Sequence, residues 1–350
     1  MEYHKINEWP LKVCKVKEAW ELDLPAHGLG KNKGEGIIIV HPDTGWTPHP
    51  ELTRPDGSTG ESRYLFKIAP SYFSLITVKG GLIGGGNAED LLMADADYLR
   101  LSPSSSFHPS HGTSTASLMM SDEGHPNDPE LIFPNYHVPK LQFVTGIAPK
   151  VKVIPVQITN SVLLRTNVRN ASGEDINLLA ALAKAIHFAV SYKKEIGVIS
   201  ISLGSPFENQ IITSALKEAR RNGIIVCAAA GQTRELIPES LRKVANPARS
   251  PHAIGVAGCD INYNKPSEGH YGLEVDITAP GWDLTVARTL RTESGDVEYV
   301  IDNKELRSKS VSGTSYSTAL ASGACALWQA YHSRSWLIKT YGRPFFTRCF

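Results

Sequence analysis

Residues 197–231 read GVISISLGSPFENQIITSALKEARRNGIIVCAAAG. Two short apolar runs, GVISISLG (197–204) and GIIVCAAAG (223–231), flank a stretch with a different period. In that stretch, 210–223, apolar residues recur at three- and four-residue steps, and it closes on Asn222-Gly223, a helix stop. The flanking runs are continuously apolar rather than alternating, as expected of strands covered on both faces. Working outward, VKVIPVQI (151–158) repeats the strand signal. DINLLAALAKAIHFAVSYKKE (175–195) repeats the helix signal, with acids at the end that the helix dipole favours. GIIIV (36–40) and AIGVAG (253–258) read as further buried strands. Strand, helix, strand, helix, strand over 151–231 makes a βαβ series with right-handed crossovers. The expected fold is α/β: three layers, with a mainly parallel central sheet and helices on both faces.

Composition narrows the function. The chain has 350 residues, is 41% hydrophobic and 20% charged, and carries a formal net charge of +1. That is enough length for a sizeable core and too little charge asymmetry for a polyanion or an acidic membrane surface, so neither nucleic acid nor membrane is expected as partner. No window approaches the eighteen or so apolar residues of a membrane span. The first twenty residues mix charges throughout and lack the apolar core of a signal peptide. As written the chain reads as cytoplasmic, or as secreted if its N-terminus has been trimmed. Five scattered cysteines (Cys14, Cys227, Cys259, Cys325, Cys349) give neither a disulfide framework nor zinc spacing. Cys227 and Cys325 sit in small-residue apolar runs and read as packing thiols. Oligomeric state is not set by the sequence.

In parallel sheets, functional groups gather at the carboxyl ends of strands. Asp43 follows the strand GIIIV in HPDTGW (41–46). His111 opens a helix-like run in SHGTSTASLMM (110–120), and Ser315 opens another in SGTSYSTALASGACALWQA (312–330). An acid, an imidazole and a hydroxyl suffice for acyl transfer: the imidazole takes the serine proton and the carboxylate fixes its tautomer. A serine at a helix N-terminus adds N–H groups where an oxyanion would develop. Singly, each residue reads as well as a turn or helix cap; the joint pattern favours chemistry.

The three motifs HPDTGWTPHPEL (41–52), HGTSTAS (111–117) and GTSYSTALASG (313–323), in that order, resemble those of the subtilisin-like serine proteases, the subtilases. TGIAPKVKVIPVQI (145–158), the runs around 197–231 and EVDITAPG (274–281) resemble the family's intervening sequence. The resemblance implies a peptidase domain over 36–333 with a loop-rich insertion at about 54–107, an N-terminal extension (1–35) and a C-terminal tail (334–350). It implies a serine endopeptidase with Ser315 as nucleophile, His111 as base and Asp43 as orienting acid. The Ser315 backbone N–H and the Gln232 amide would form the oxyanion hole. Ser202, Leu203 and Gly204 would be an edge against which a peptide or protein substrate lies. Ala228 to Gly231, with Ala229, Ala230 and Gly231 as contacts, would line the specificity pocket.

The sequence departs from the family pattern twice. Gln232 stands where the family usually has asparagine, and Ala319 where it usually has proline. These keep two other readings open: a peptide-binding relative without turnover, and, less favoured, an acyl-transferring ligase. No cofactor is required. The family allows structural calcium, but no motif here supports it. His108 and His111 lack further metal ligands at useful spacing, GLIGGGNAED (81–90) lacks the dinucleotide fingerprint, and there is no Gly-x-Ser-x-Gly elbow.

Overall fold

The computed structural model describes residues 8–47, 49, 51–52, 64, 110–122, 144–159, 162–164, 168–169, 175–193, 196–233, 242–291, 297–302 and 311–343. The insertion expected at about 54–107 lies outside these residues except for Tyr64, as does His108.

The centre is a six-stranded parallel sheet in the order β2-β1-β5-β6-β7-β8. Its strands are β1 (Ile38–Asp43), β2 (Lys152–Gln157), β5 (Ile196–Ile201), β6 (Ile225–Ala229), β7 (Ile254–Cys259) and β8 (Ile277–Pro280). Two small antiparallel pairs accompany it: β3 (Val168–Arg169) with β4 (Asp175–Ile176), and β9 (Val286–Arg291) with β10 (Val297–Asp302). The helices, in chain order, are α1 (Trp9–Val13), α2 (Val16–Trp20), α3 (His111–Met120), α4 (Leu178–Ser191), α5 (Gln210–Arg221), α6 (Thr314–Tyr331) and α7 (Arg334–Tyr341).

The three prolines within the sheet are tolerated because of where they fall, Pro280 at the end of edge strand β8. Pro155 is on edge strand β2. Pro42 lies beyond Val40, the last β1 residue paired to β5, so its missing N–H interrupts no two-sided ladder.

Successive strand residues face opposite layers. Ile39, Val153, Val198 and Val256 pack with Met119 and Met120 of α3 and with Ala319, Leu320 and Ala326 of α6. Val40, Ile154, Ile199 and Val226 pack with Leu182 and Ile186 of α4 and Ile212 and Leu216 of α5. This is the three-layer α/β fold expected from the period switches.

Asn177 caps α4 by accepting from the amides of Leu179 and Ala180, both at 3.1 Å. The helix therefore begins at Leu178, and Asp175–Ile176 go to β4 instead. Asn209 caps α5 in the same way. The terminal segments also join the core. Trp9, Leu11, Val16 and Trp20 belong to the cluster under α6, and Trp20 Nε1 donates to Ile147 O at 3.0 Å. Leu337 of α7 is buried beside them.

Candidate active site

Asp43 ends β1, His111 opens α3 and Ser315 is the second residue of α6. Asp43 and His111 meet because α3 approaches the exit of β1 very closely. A Cβ on Gly112 would stand 2.1 Å from Gly45 O, so only glycine permits the approach. The Gly112 amide donates to Thr44 Oγ1 at 3.0 Å and locks the junction. His111 Nδ1 then lies 2.7 Å from Asp43 Oδ1, which also accepts from the Thr44 amide at 2.7 Å.

Asp43 is fully buried. Burial alone would push its carboxyl up, but the hydrogen-bonded His111 ring, with the His41 ring nearby, reverses this and holds it well below the usual carboxylate range. The charge is therefore kept where it can fix the histidine tautomer with the proton on Nδ1, leaving Nε2 as a base.

The start of α6 is tied to the ends of β5 and β6. The Ser315 hydroxyl donates to Ser202 O at 2.9 Å, and Ser202 Oγ donates back to Ser315 O at 2.9 Å. A hydroxyl has one proton, so Ser315 directs it to β5's exit rather than to His111 in this arrangement. The His111 ring lies 6.2 Å from that of Tyr316, the residue after Ser315. Gly231 N donates to Thr314 Oγ1 at 3.1 Å.

Gln232 reaches the same turn. Its Oε1 accepts from the Thr314 amide at 2.9 Å, while Nε2 faces Ser312 O at 3.5 Å. An N–H donor requires the oxygen at that position, so the amide orientation is fixed: Gln232 caps α6. A Cβ on Gly313 would meet Gln232 Oε1 at 2.7 Å, so glycine also makes room for this cap. The Ser315 backbone N–H has no acceptor among the described residues.

Ser202 and Leu203 are buried and Gly204 is half-buried. Gly204 O accepts from Leu164 N at 2.9 Å, and Gly204 N donates to Val162 O at 3.4 Å. The edge at Gly204 is thus paired with the chain's own segment 162–164. Ala229 and Ala230 are buried, and Ala230 spends both backbone groups, on Val256 O and Ala245 N. Gly231 lies half-buried at φ +100°. Ala319 is fully buried in α6. Cys227 and Cys325 are buried free thiols with sulfurs 3.7 Å apart. Among the described residues there is no group of three or more His, Cys, Asp or Glu arranged to hold a metal ion, and no helix long and apolar enough to cross a membrane.

The comparison with known families bears on this arrangement directly. The model described as Peptidase_S8, subtilase family, matches residues 76–340, a span that holds His111 and Ser315. The chain belongs to the subtilase family. This subtilase is 25% identical over 333 residues to the major intracellular serine protease of Bacillus subtilis (strain 168), covering 94% of this chain and 78% of that protein. It is 33% identical over 138 residues to thermitase of Thermoactinomyces vulgaris, covering 39% of this chain and 42% of thermitase. Among solved structures it resembles the MycP3 protease of the type VII (ESX-3) secretion system, with TM-score 0.57 and 19% identity over 95% of this chain and 80% of that one. MycP1 with its N-terminal propeptide removed gives TM-score 0.53 and 19% identity, covering 92% and 84%. At that identity these two show the fold.

One residue at the site escaped the motif reading. His41, 1% exposed, places Nε2 3.4 Å from Asp43 Oδ2. A signal for it was present: an imidazole two residues before Asp43 on an otherwise apolar strand shares its face.

Proposed function

We propose that this subtilase is a serine endopeptidase acting through an acyl-enzyme. The observation that carries the reading is the 2.7 Å contact of the buried, ionised Asp43 with His111 Nδ1, at the carboxyl end of the sheet and beside α6, whose first turn holds Ser315. Catalysis begins when the Ser315 hydroxyl leaves Ser202 O and turns to His111 Nε2. His111 takes the proton as Ser315 Oγ attacks the peptide carbonyl, and Asp43 stabilises the imidazolium. The tetrahedral oxyanion forms at the α6 N-terminus, where the Ser315 N–H is available. Gln232 adds a second donor once its amide swings away from Ser312. His111 then delivers the proton to the leaving amine, and water repeats the sequence on the acyl-enzyme.

The test is labelling with a fluorophosphonate probe. The natural sequence is expected to label and Ser315→Ala, equally folded, is not. Equal labelling of both would remove Ser315 as nucleophile.

A second reading starts from the direction of the Ser315 hydroxyl. With Ser315 bonded to Ser202 and the Gln232 amide occupied, the chain would bind extended peptides without turning them over. Peptide binding by a well-folded natural protein that neither labels nor hydrolyses would favour it.

A further inference from the structure

Asp43 Oδ2 is buried and receives no hydrogen bond from any described residue. His41 Nε2 lies 3.4 Å from it, within ion-pair distance but outside hydrogen-bond geometry. The same nitrogen is 3.1 Å from Thr115 Oγ1. Thr115 stands one turn after His111 on α3, and its hydroxyl points at His111 O (3.0 Å) and Gly112 O (3.2 Å). With its single proton directed to those helix carbonyls, and with a carboxylate oxygen 3.4 Å from His41 Nε2 favouring a proton there, the Thr115 oxygen accepts from His41. That places a proton on His41 Nε2, the atom facing both Thr115 and Asp43.

A closed ring results. It runs from Asp43 Oδ1 to His111 Nδ1 (2.7 Å) and from His111 O to Thr115 Oγ1 (3.0 Å). It returns from Thr115 Oγ1 to His41 Nε2 (3.1 Å) and from His41 Nε2 to Asp43 Oδ2 (3.4 Å). We propose that His41 is a positioning residue: it steadies the second oxygen of Asp43 and, through Thr115, the first turn of α3, so that the carboxylate keeps its other oxygen on His111 Nδ1. The physical reason lies in the alternatives. Without His41, the buried Oδ2 loses the imidazole 3.4 Å away that favours its place, and the carboxylate rotates toward other donors. His41 and Asp43 leave the same face of β1 because they are two residues apart, which is what allows one strand to supply both groups.

The effect on turnover rests on the protease reading above; the ring does not. The experiment therefore reads both. Proton NMR follows the far-downfield resonance of the His111 Nδ1–H bonded to Asp43, and steady-state kinetics on a peptide substrate give kcat and KM. The variants are His41→Val, His41→Gln and Thr115→Val. His41→Val and Thr115→Val are expected to shift or broaden the resonance and lower kcat by up to about a hundredfold, the scale of a misplaced catalytic group, with KM little changed. His41→Gln, whose amide offers donors to both partners, is expected to restore most of both readouts. An unchanged resonance in both valine variants would overturn the proposal, whatever happens to thermal stability. If His41→Val does not fold, Thr115→Val and His41→Gln decide by the same resonance. A natural protein that shows the resonance yet fails to hydrolyse peptides or label Ser315 would count against the protease reading and leave the ring to be judged by the NMR.

Discussion

At the scale of single residues, Gln232 is where sequence and structure ask different things of one side chain. Its position in the motif order implies an oxyanion donor. Its observed bond to the Thr314 amide satisfies the first N–H of α6 from outside the helix. Gln232→Glu separates the two roles, because a carboxylate keeps the acceptor and loses the donor. The melting temperature of Gln232→Glu should match the natural protein, whereas Gln232→Ala should lose about 1 kcal/mol of stability with the cap. Both should reduce kcat about a hundred- to a thousandfold if the amide swings to the oxyanion. An undiminished kcat in Gln232→Glu would leave Gln232 a cap only. Ser315 was legible as a candidate from its neighbours Gly313 and Thr314. The direction of its hydroxyl was not, because Ser202 approaches it from 113 residues away.

At the scale of elements, the edge expected to receive substrate is already paired. Gly204 uses both its N–H and its C=O on Val162 and Leu164. An extended peptide can bond there only by taking those groups over. Hydrogen exchange of the Leu164 amide should accordingly speed up when Ser315→Ala is saturated with an extended peptide. Unchanged or increased protection would mean that the peptide lies elsewhere. The strands around 151–158, 197–204, 223–231 and 253–258 were legible because buried parallel strands are continuously apolar. The β9–β10 hairpin was not: VARTLR and VEYVID are short, mix charged and apolar residues, and lack a tight two-residue turn signal. The start of α4 was misplaced by three residues because Asn177, rather than the preceding acids, supplies the cap.

At the scale of the whole molecule, the turn after β1 buries two ionisable groups. Glu51 N donates to His49 Nδ1 at 3.2 Å, so the His49 proton sits on Nε2, 3.1 Å from Val300 O. Burial pushes His49 down to about 3, against the pull of its bond to Val300. Burial, and then the nearby Asp122 charge, push Glu51 up to about 8, against a hydrogen bond from Val144. Both are neutral in the folded protein at pH 7. The folded pKa of His49 lies below its unfolded value near 6.5, so stability is lost as pH falls from about 6.5 toward 3. That of Glu51 lies above its unfolded value near 4.5, so stability is present below that pH and lost as pH rises toward 8. Glu51→Gln mimics the neutral acid. Its thermal midpoint should be close to the natural protein's at pH 5 and higher at pH 9. Parallel midpoints at the two pH values would assign the alkaline loss to another group.

The sequence by itself determined the layers of this subtilase and the chain order of Asp43, His111 and Ser315. Both are written in local pattern: the period of apolar residues and the small residues at strand ends and helix starts. Only the tertiary structure decided which atoms of these residues meet. Asp43 and His111 are 68 residues apart, and Gln232 and Thr314 are 82. Their hydrogen bonds depend on ångström-scale approaches, such as α3 closing over Gly45 at Gly112, that packing of the whole core sets. Direction and partner of a polar side chain follow from that packing, and no local period encodes them.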